Sequence, residues 1–303
     1  AFYPLFPLLG RILAGVAGIA PAAALTIIAM ISGLAAALVV YRLFRQKATH
    51  RTALWGAVFF CTFPVSPVLQ VPYAESLNLL LLAAALLLVV RRRYLWAMPV
   101  VLLMCLSRPT GVPFAAMVGL LFLYRVYPHL VAAFRGGPRI AAAHGPGAET
   151  PAVLSSKPGE LWSLAGLAAV SSLAALLWPA IAWAATGDIQ AYTKTETVWR
   201  GHDLVPFKPW FDTGIQLFGP VLGLLAPFVV VAAFVLLMMS RPVAALGTEF
   251  RLWCVCYVGY LLAFLHPQTS TFRMLLPLFP LALGAALVSR SRAYRGTVVV
   301  MFI

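Results

Sequence analysis

Two arginines and one glutamate are the residues of this sequence best placed to do chemistry. Arg108 stands in Ser107-Arg108-Pro109-Thr110-Gly111, and Arg273 closes His266-Pro267-Gln268-Thr269-Ser270-Thr271-Phe272-Arg273. Each lies beside apolar stretches of only about 14–16 residues, roughly 21–24 Å of helix, short of the ~30 Å of a hydrocarbon layer. A guanidinium left at that depth needs a water-filled cavity, an acid or an anionic ligand. Its planar fork suits a phosphate in particular. Pro109 and Gly111 break the helix beside Arg108, and broken backbone at membrane depth is tolerated where it is buried or lines a cavity. The plainer alternatives are a structural salt bridge for Arg108, with Glu75 as its partner, and snorkelling to the interface for Arg273.

Glu75 lies in Val71-Pro72-Tyr73-Ala74-Glu75-Ser76, at the start of an apolar stretch. Two readings stand: an acid satisfying a helix N-terminus, or one facing a polar pocket, because an acid facing lipid is costly. The region 186–214 holds Gly187-Asp188-Ile189-Gln190-Ala191-Tyr192, Trp199-Arg200-Gly201-His202-Asp203 and Lys208-Pro209-Trp210-Phe211-Asp212. Carboxylates, amides and aromatic faces together suit a sugar, whose ring stacks on aromatics and whose hydroxyls are held by acids. Ordinary loop polarity is the plainer reading, for His202 with Asp203 as well. His266 has no second His or Cys at ligand spacing and is read as a polar side chain. No carboxylate cluster has metal-binding spacing, so no metal and no cofactor are expected. Cys61, Cys105, Cys254 and Cys256 all fall in apolar stretches and are read as small buried hydrophobes.

The elements that must position these residues are membrane helices. The chain has 303 residues, 62% of them hydrophobic and 10% charged, with a mean hydropathy of +0.94. Soluble domains are nearer 45–50% apolar and about 25% charged. The composition therefore predicts an all-α, polytopic transmembrane helix bundle. The expected spans are 21–44, 53–70, 74–90, 94–107, 111–127, 161–185, 215–240, 252–265 and 274–289, about nine complete, with another beginning near Gly296. Residues 1–303 form a single membrane domain in this reading. Residues 125–160 are a flexible cytoplasmic loop, whose stretch from Arg135 to Pro158 is rich in Gly, Pro and Ala. Residues 186–214 are an outer loop, and the stretch before residue 21 is an interfacial approach to the first span. Both ends are expected to be cut from a longer chain.

Charge orients the bundle. Sixteen of the 22 Lys and Arg residues fall in alternate breaks: Arg42/Arg45/Lys47/Arg51, Arg91/Arg92/Arg93, Arg125/Arg135/Arg139/Lys157, Arg241/Arg251 and Arg290/Arg292/Arg295. Cytoplasmic loops concentrate Lys and Arg, so these breaks are expected inside, the sixteen acting as orientation anchors. Glu75, Asp188, Glu196, Asp203 and Asp212 fall in the breaks between. The +14 net charge then reads as attraction to an anionic inner leaflet, with membrane lipids and not nucleic acid as partner.

At these motifs the chain resembles the PIG-V-like family of GT-C integral membrane mannosyltransferases. Phe2-Tyr3-Pro4-Leu5-Phe6-Pro7-Leu8 resembles that family's "FFPLYPLL", Pro72–Ser76 its "PYTES" and Ser107–Gly111 its "TRSTG". Gly187-Asp188 with Gln190-Ala191-Tyr192 and Trp199-Arg200 is similar to its "GDPxAF…W" loop, and Phe272–Pro280 to its "RYLLPxFP". Ile189 stands where the family often has Pro, and the usual Arg-Tyr pair is replaced by Arg273-Met274. The resemblance implies a GT-C-like fold and inverting transfer of mannose from a polyprenyl-phosphate-mannose donor to a lipid, glycan or protein acceptor on the outer face. The expected setting is a bacterial plasma membrane. A carboxylate takes the acceptor proton, and cations stabilise the leaving phosphate; Arg108 and Arg273 match family positions for that role. The family's catalytic aspartate, in a "WDxxWY" motif, precedes "FFPLYP" and is expected upstream of residue 1. Within the sequence, Glu75 and Asp188 are the candidate substitutes, and Tyr73, Gln190, Trp199, Arg200 and His266 the candidate substrate-binding residues. One alternative is a secondary transporter or lipid flippase, which predicts paired broken spans related by a repeat; another is a non-catalytic membrane scaffold.

Overall fold

The structure, a computed structural model, describes residues 3–134, 158–200 and 205–303, and every regular element among them is helical. In chain order these are α1 (Leu5–Ala17), α2 (Pro21–Phe44), α3 (His50–Thr62), a 3₁₀ turn (Ser66–Gln70), α4 (Glu75–Val90), α5 (Tyr94–Cys105) and α6 (Gly111–Phe134). There follow α7 (Pro158–Thr186), α8 (Ala191–Arg200), α9 (Lys208–Met239), α10 (Arg241–Ala244), α11 (Thr248–Phe264), a 3₁₀ segment (Thr269–Leu278), α12 (Pro280–Val288) and α13 (Arg292–Phe302). Among the described residues three helices are long and apolar enough to cross a membrane: α2, residues Gly159–Thr186 of α7, and α9. Leu5–Ala17, Glu75–Val90, Tyr94–Cys105 and Gly111–Tyr127 are apolar but shorter.

Several expected boundaries move. The approach before residue 21 is the helix α1. The stretch 53–70 breaks after Thr62, next to Pro64, which has no amide proton to continue the ladder. The stretch 274–289 is bent by 72° between Thr271–Leu278 and Pro280–Val288. Helix α6 runs on to Phe134, so the expected 125–160 loop begins later, and its stretch from 135 to 157 lies outside the described residues. The expected outer loop 186–214 is largely helical, holding α8 and the start of α9.

Helix α9 is a hairpin of two arms. Gly219, followed by Pro220, has φ 78 and ψ 175, a region open essentially to glycine alone. The arms fold back so closely that a Cβ on Gly214 would sit 2.4 Å from the Gly223 carbonyl oxygen. The rings of Phe211 and Phe228 stand 5.7 Å apart, whereas a straight helix would separate them by roughly 25 Å. The first arm rests on the end of α11, where Trp210 Nε1–H donates to the Leu261 carbonyl at 3.3 Å and the Phe207 amide to that of Ala263 at 3.3 Å. The second arm, 220–239, is itself about 30 Å long. It leaves Val221, Leu222, Phe228 and Leu236 exposed, the pattern of a helix covered by lipid.

The core lies among α2, α4, α5, α6, α7, α11 and α12. Helix α2 packs on α4, α7 on both α5 and α6, α11 on α6, and α12 on α3. Phe44, Phe114, Phe250 and Trp253 are wholly buried among these helices. Trp253 stacks on Tyr257 at 5.2 Å and donates from Nε1–H to the Pro277 carbonyl at 2.7 Å. A buried indole thus keeps its one donor satisfied while pinning the bent segment to α11.

The packed helices run between two ends of the bundle, and one end is ionic. Arg125, on α6, donates to Glu160 Oε1 at 2.9 Å, to Glu249 Oε1 at 3.3 Å and to the Tyr94 hydroxyl. Arg92 reaches Glu160 Oε2 at 3.1 Å, and Lys47 reaches Glu249 Oε2 at 3.0 Å. Lys47, Arg92 and Arg125, expected as orientation anchors, are thus also partners in a structural network. They tie six helices or helix ends together, the ends of α2 and α4 and helices α5, α6, α7 and α11, and Arg125 is only 6% exposed. Burial pushes the Glu249 carboxyl up, but the Lys47 ammonium and the Arg125 guanidinium outweigh it and hold it below the usual carboxylate range.

Candidate functional site

At the other end of the same helices a cavity of about 550 Å³ opens. Its polar wall is built from three breaks in the chain. The first is the turn before α4. Ser76 Oγ donates to the Leu69 carbonyl at 2.7 Å, fixing the start of the helix. Glu75 opens its first turn, where a negative charge is favoured. The second is the break between α5 and α6. Asn78 Nδ2 donates to Ser107 Oγ at 2.8 Å and Thr110 Oγ1 at 2.9 Å, with the Met104 carbonyl at 3.4 Å. All three polar side chains are buried, so the break is clamped to α4, one turn beyond Glu75. Gly111 is required there by space: a Cβ would lie 2.6 Å from Cys105 Sγ and 3.2 Å from Ala175 Cα. The third is the 3₁₀ segment 269–278, held to α11 by the Tyr257 hydroxyl donating to the Met274 carbonyl at 2.7 Å.

These breaks bring Glu75, Arg108 and Arg273 together. Arg108 Nη1 stands 2.5 Å from Glu75 Oε1, and Arg273 Nε stands 3.6 Å from the same oxygen. The ion pair that the sequence allowed for Arg108 is therefore present. Both guanidiniums share it, however, and alignment is poor. Neither Glu75 oxygen accepts a hydrogen bond, and Arg273 Nε makes none, although all three atoms are buried. The second terminal nitrogen of Arg108, Nη2, donates to the Met274 sulfur at 3.5 Å, a weak acceptor. The Arg273 guanidinium lies 5.2 Å from the centre of the Tyr73 ring, a cation–π distance. Buried polar atoms are normally paired, and here the orphans belong to residues that line the cavity.

The rest of the wall is apolar and aromatic. Tyr3, Phe6 and Pro7 come from the chain's opening stretch, Leu25 from α2, and Tyr260 and Phe264 from α11. The Leu5 amide donates to the Leu106 carbonyl at 3.0 Å, joining the start of α1 to the Arg108 break. Tyr3 and Tyr192 hydroxyls are 2.9 Å apart, and Glu196 also lines the cavity, so α8 closes one side. A volume of this size, mostly apolar with a few convergent polar groups, is the usual form of a small-molecule site.

The remaining sequence candidates separate. Tyr73 lines the cavity. Asp188 does not: it accepts from the Gln190 amide at 2.9 Å and pairs with Lys194 at 2.6 Å. Lys194 and the Gln190 amide hold its carboxyl below the usual range, and both contacts brace the entry to α8. Gln190 is exposed, and neither it nor His266 lines the cavity. The side chains of Trp199 and Arg200 lie outside the described residues, as do His202 and Asp203. Cys105 and Cys254 are buried, whereas Cys61 is exposed. No group of three His, Cys, Asp or Glu side chains able to hold a metal occurs among the described residues.

Sequence reasoning missed Asn78, Glu196, Tyr257 and Tyr260. Asn78 did carry a signal: one amide in an otherwise apolar helix, a turn from Glu75, must face something polar. The five stretches that resemble the mannosyltransferase family nonetheless all contribute to this cavity or touch a residue that does, through Tyr3, Glu75, Arg108, Tyr192 and Arg273. Comparison of the chain with protein-family models, with curated proteins and with solved structures gives no match.

Proposed function

We propose that this chain is a GT-C-type mannosyltransferase that moves mannose from a polyprenyl-phosphate-mannose donor to a lipid, glycan or protein acceptor, with inversion. One observation carries the reading: two arginines from distant breaks converge on one under-satisfied carboxylate at the wall of a largely apolar cavity. That wall suits a donor with an anionic head and an isoprenoid tail. Arg108 and Arg273 hold the phosphate and stabilise it as it leaves, Tyr73 braces Arg273, and the apolar side takes the tail. Glu75 and Asp188 are both engaged by cations, so neither is assigned the proton-accepting role. The family resemblance gives that role to an aspartate ahead of the Phe2–Leu8 stretch.

In the same reading the chain is multi-pass, crossing a bacterial plasma membrane about nine times. The basic network is cytoplasmic and the cavity faces outside. Helix α4 supports this arrangement, since its 16 residues span only about 24 Å from the ionic end to Glu75, which leaves the cavity below the outer surface of a ~30 Å layer.

The test is transfer by the full-length protein from polyprenyl-phosphate-mannose. Arg108→Ala and Arg273→Ala should each slow transfer about 10²–10³-fold, the usual cost of losing a charge-stabilising donor, with the protein still folded. Undiminished donor turnover in both variants would sink the phosphate site. Movement of the lipid across a vesicle membrane without transfer would favour the flippase alternative.

A further inference from the structure

We infer that Glu75 is a specificity-determining residue that sets the charge its cavity accepts: beside two guanidiniums it leaves one surplus positive charge, which fits a phosphodiester headgroup and disfavours a diphosphate. The inference rests on the proposed phosphate site and concerns which phosphate enters it.

Three observations carry it. Glu75 is 5% exposed and in ionic contact with both arginines, so its charge counts in full at the site. Among the described residues it is the one carboxylate paired with either of them. Its carboxylate also leaves part of each guanidinium for a ligand. Arg108 turns its second nitrogen to a thioether that a phosphate oxygen would displace without loss, and Arg273 stands over Tyr73 with Nε unsatisfied. A singly charged phosphodiester bridging the two arginines neutralises the cluster. A second negative charge would lie near the Glu75 carboxylate with no cation to meet it. An unpaired like charge built against the wrong ligand is a common device of selectivity, and it acts strongly where solvent is scarce.

The arrangement also separates Glu75 from the chemistry of the acceptor. Its carboxylate contacts the cations that would receive the leaving group, so it acts through them as a positioning residue.

Equilibrium binding to the purified full-length protein decides the point, using two probes with one tail: farnesyl methyl phosphate, singly charged, and farnesyl diphosphate. The wild type should bind the diester about tenfold more tightly or better. Glu75→Gln keeps the shape and removes the charge, so the preference should vanish or invert. Glu75→Asp keeps the charge and should keep the preference. A wild type that prefers the diphosphate overturns the inference, and that measurement stands even if Glu75→Gln does not fold. So does an unchanged ratio in a folded Glu75→Gln, which leaves the phosphate site itself intact. Binding of neither probe to the wild type removes the phosphate site and this inference with it.

Discussion

The two charged clusters of this bundle hold the same surplus and differ in what they do with it. At one end three cations, Lys47, Arg92 and Arg125, meet two carboxylates. At the other, two arginines meet one. In the first cluster all four ion pairs are aligned hydrogen bonds of 2.9–3.3 Å. In the second, buried donors and acceptors go unsatisfied beside an open volume. Excess charge therefore does not by itself mark a site. A satisfied buried network fixes helices; one that leaves charged groups poorly paired beside a cavity is the kind that a ligand can join.

The largest effect expected from this contrast is on stability. Arg125→Ala leaves Glu160 and Glu249 without their central partner and should cost roughly 3–5 kcal/mol, as for other broken buried pairs. Thermal unfolding in detergent measures it. Arg108→Ala should cost clearly less, since Glu75 keeps Arg273, while its loss in transfer is the larger. A reversed order would break the comparison.

Next comes acid. The carboxyl of Glu249, in the break before the apolar part of α11, is held below its ordinary range in the folded protein. Its contribution is full above the unfolded pKa and is lost as pH falls through the folded one. Melting curves taken from about pH 6 down to about pH 3, through and below the ordinary carboxylate range, should drop more steeply for the wild type than for Glu249→Gln. Parallel curves would mean that the network is not the acid-sensitive element. The smallest effect is at Asp188, paired with Lys194 in the open. Exposed pairs contribute little, so Asp188→Ala should leave melting and transfer unchanged, and a loss of transfer would return it to the list of bases.

The sequence made the all-helical character readable, because composition and helical rise are local quantities, and it singled out Arg108 and Arg273 beside breaks between apolar helices. That these arginines meet at Glu75 was readable only as an option, since the pairing depends on how three distant breaks pack. That Arg125 is also the centre of a buried network was not readable from its charge, because its partners Glu160 and Glu249 come from other helices. Residues 191–200 were taken for loop because their polarity hid a helix whose Tyr192 and Glu196 face the cavity end. Gly219-Pro220 is a visible breaker, yet only the contact of Phe211 with Phe228 reveals that the chain reverses there.

That reversal has a consequence for fit to the bilayer. Run straight, Lys208–Met239 would be a rod of about 48 Å, well beyond the ~30 Å hydrocarbon layer, and would have to tilt steeply or thicken the lipid around it. Folding back at one glycine removes that mismatch and keeps Trp210 against Leu261. A side chain at position 219 would disfavour the turn through backbone conformation alone, since nothing crowds the position, and the excess length would then fall on the neighbouring lipid.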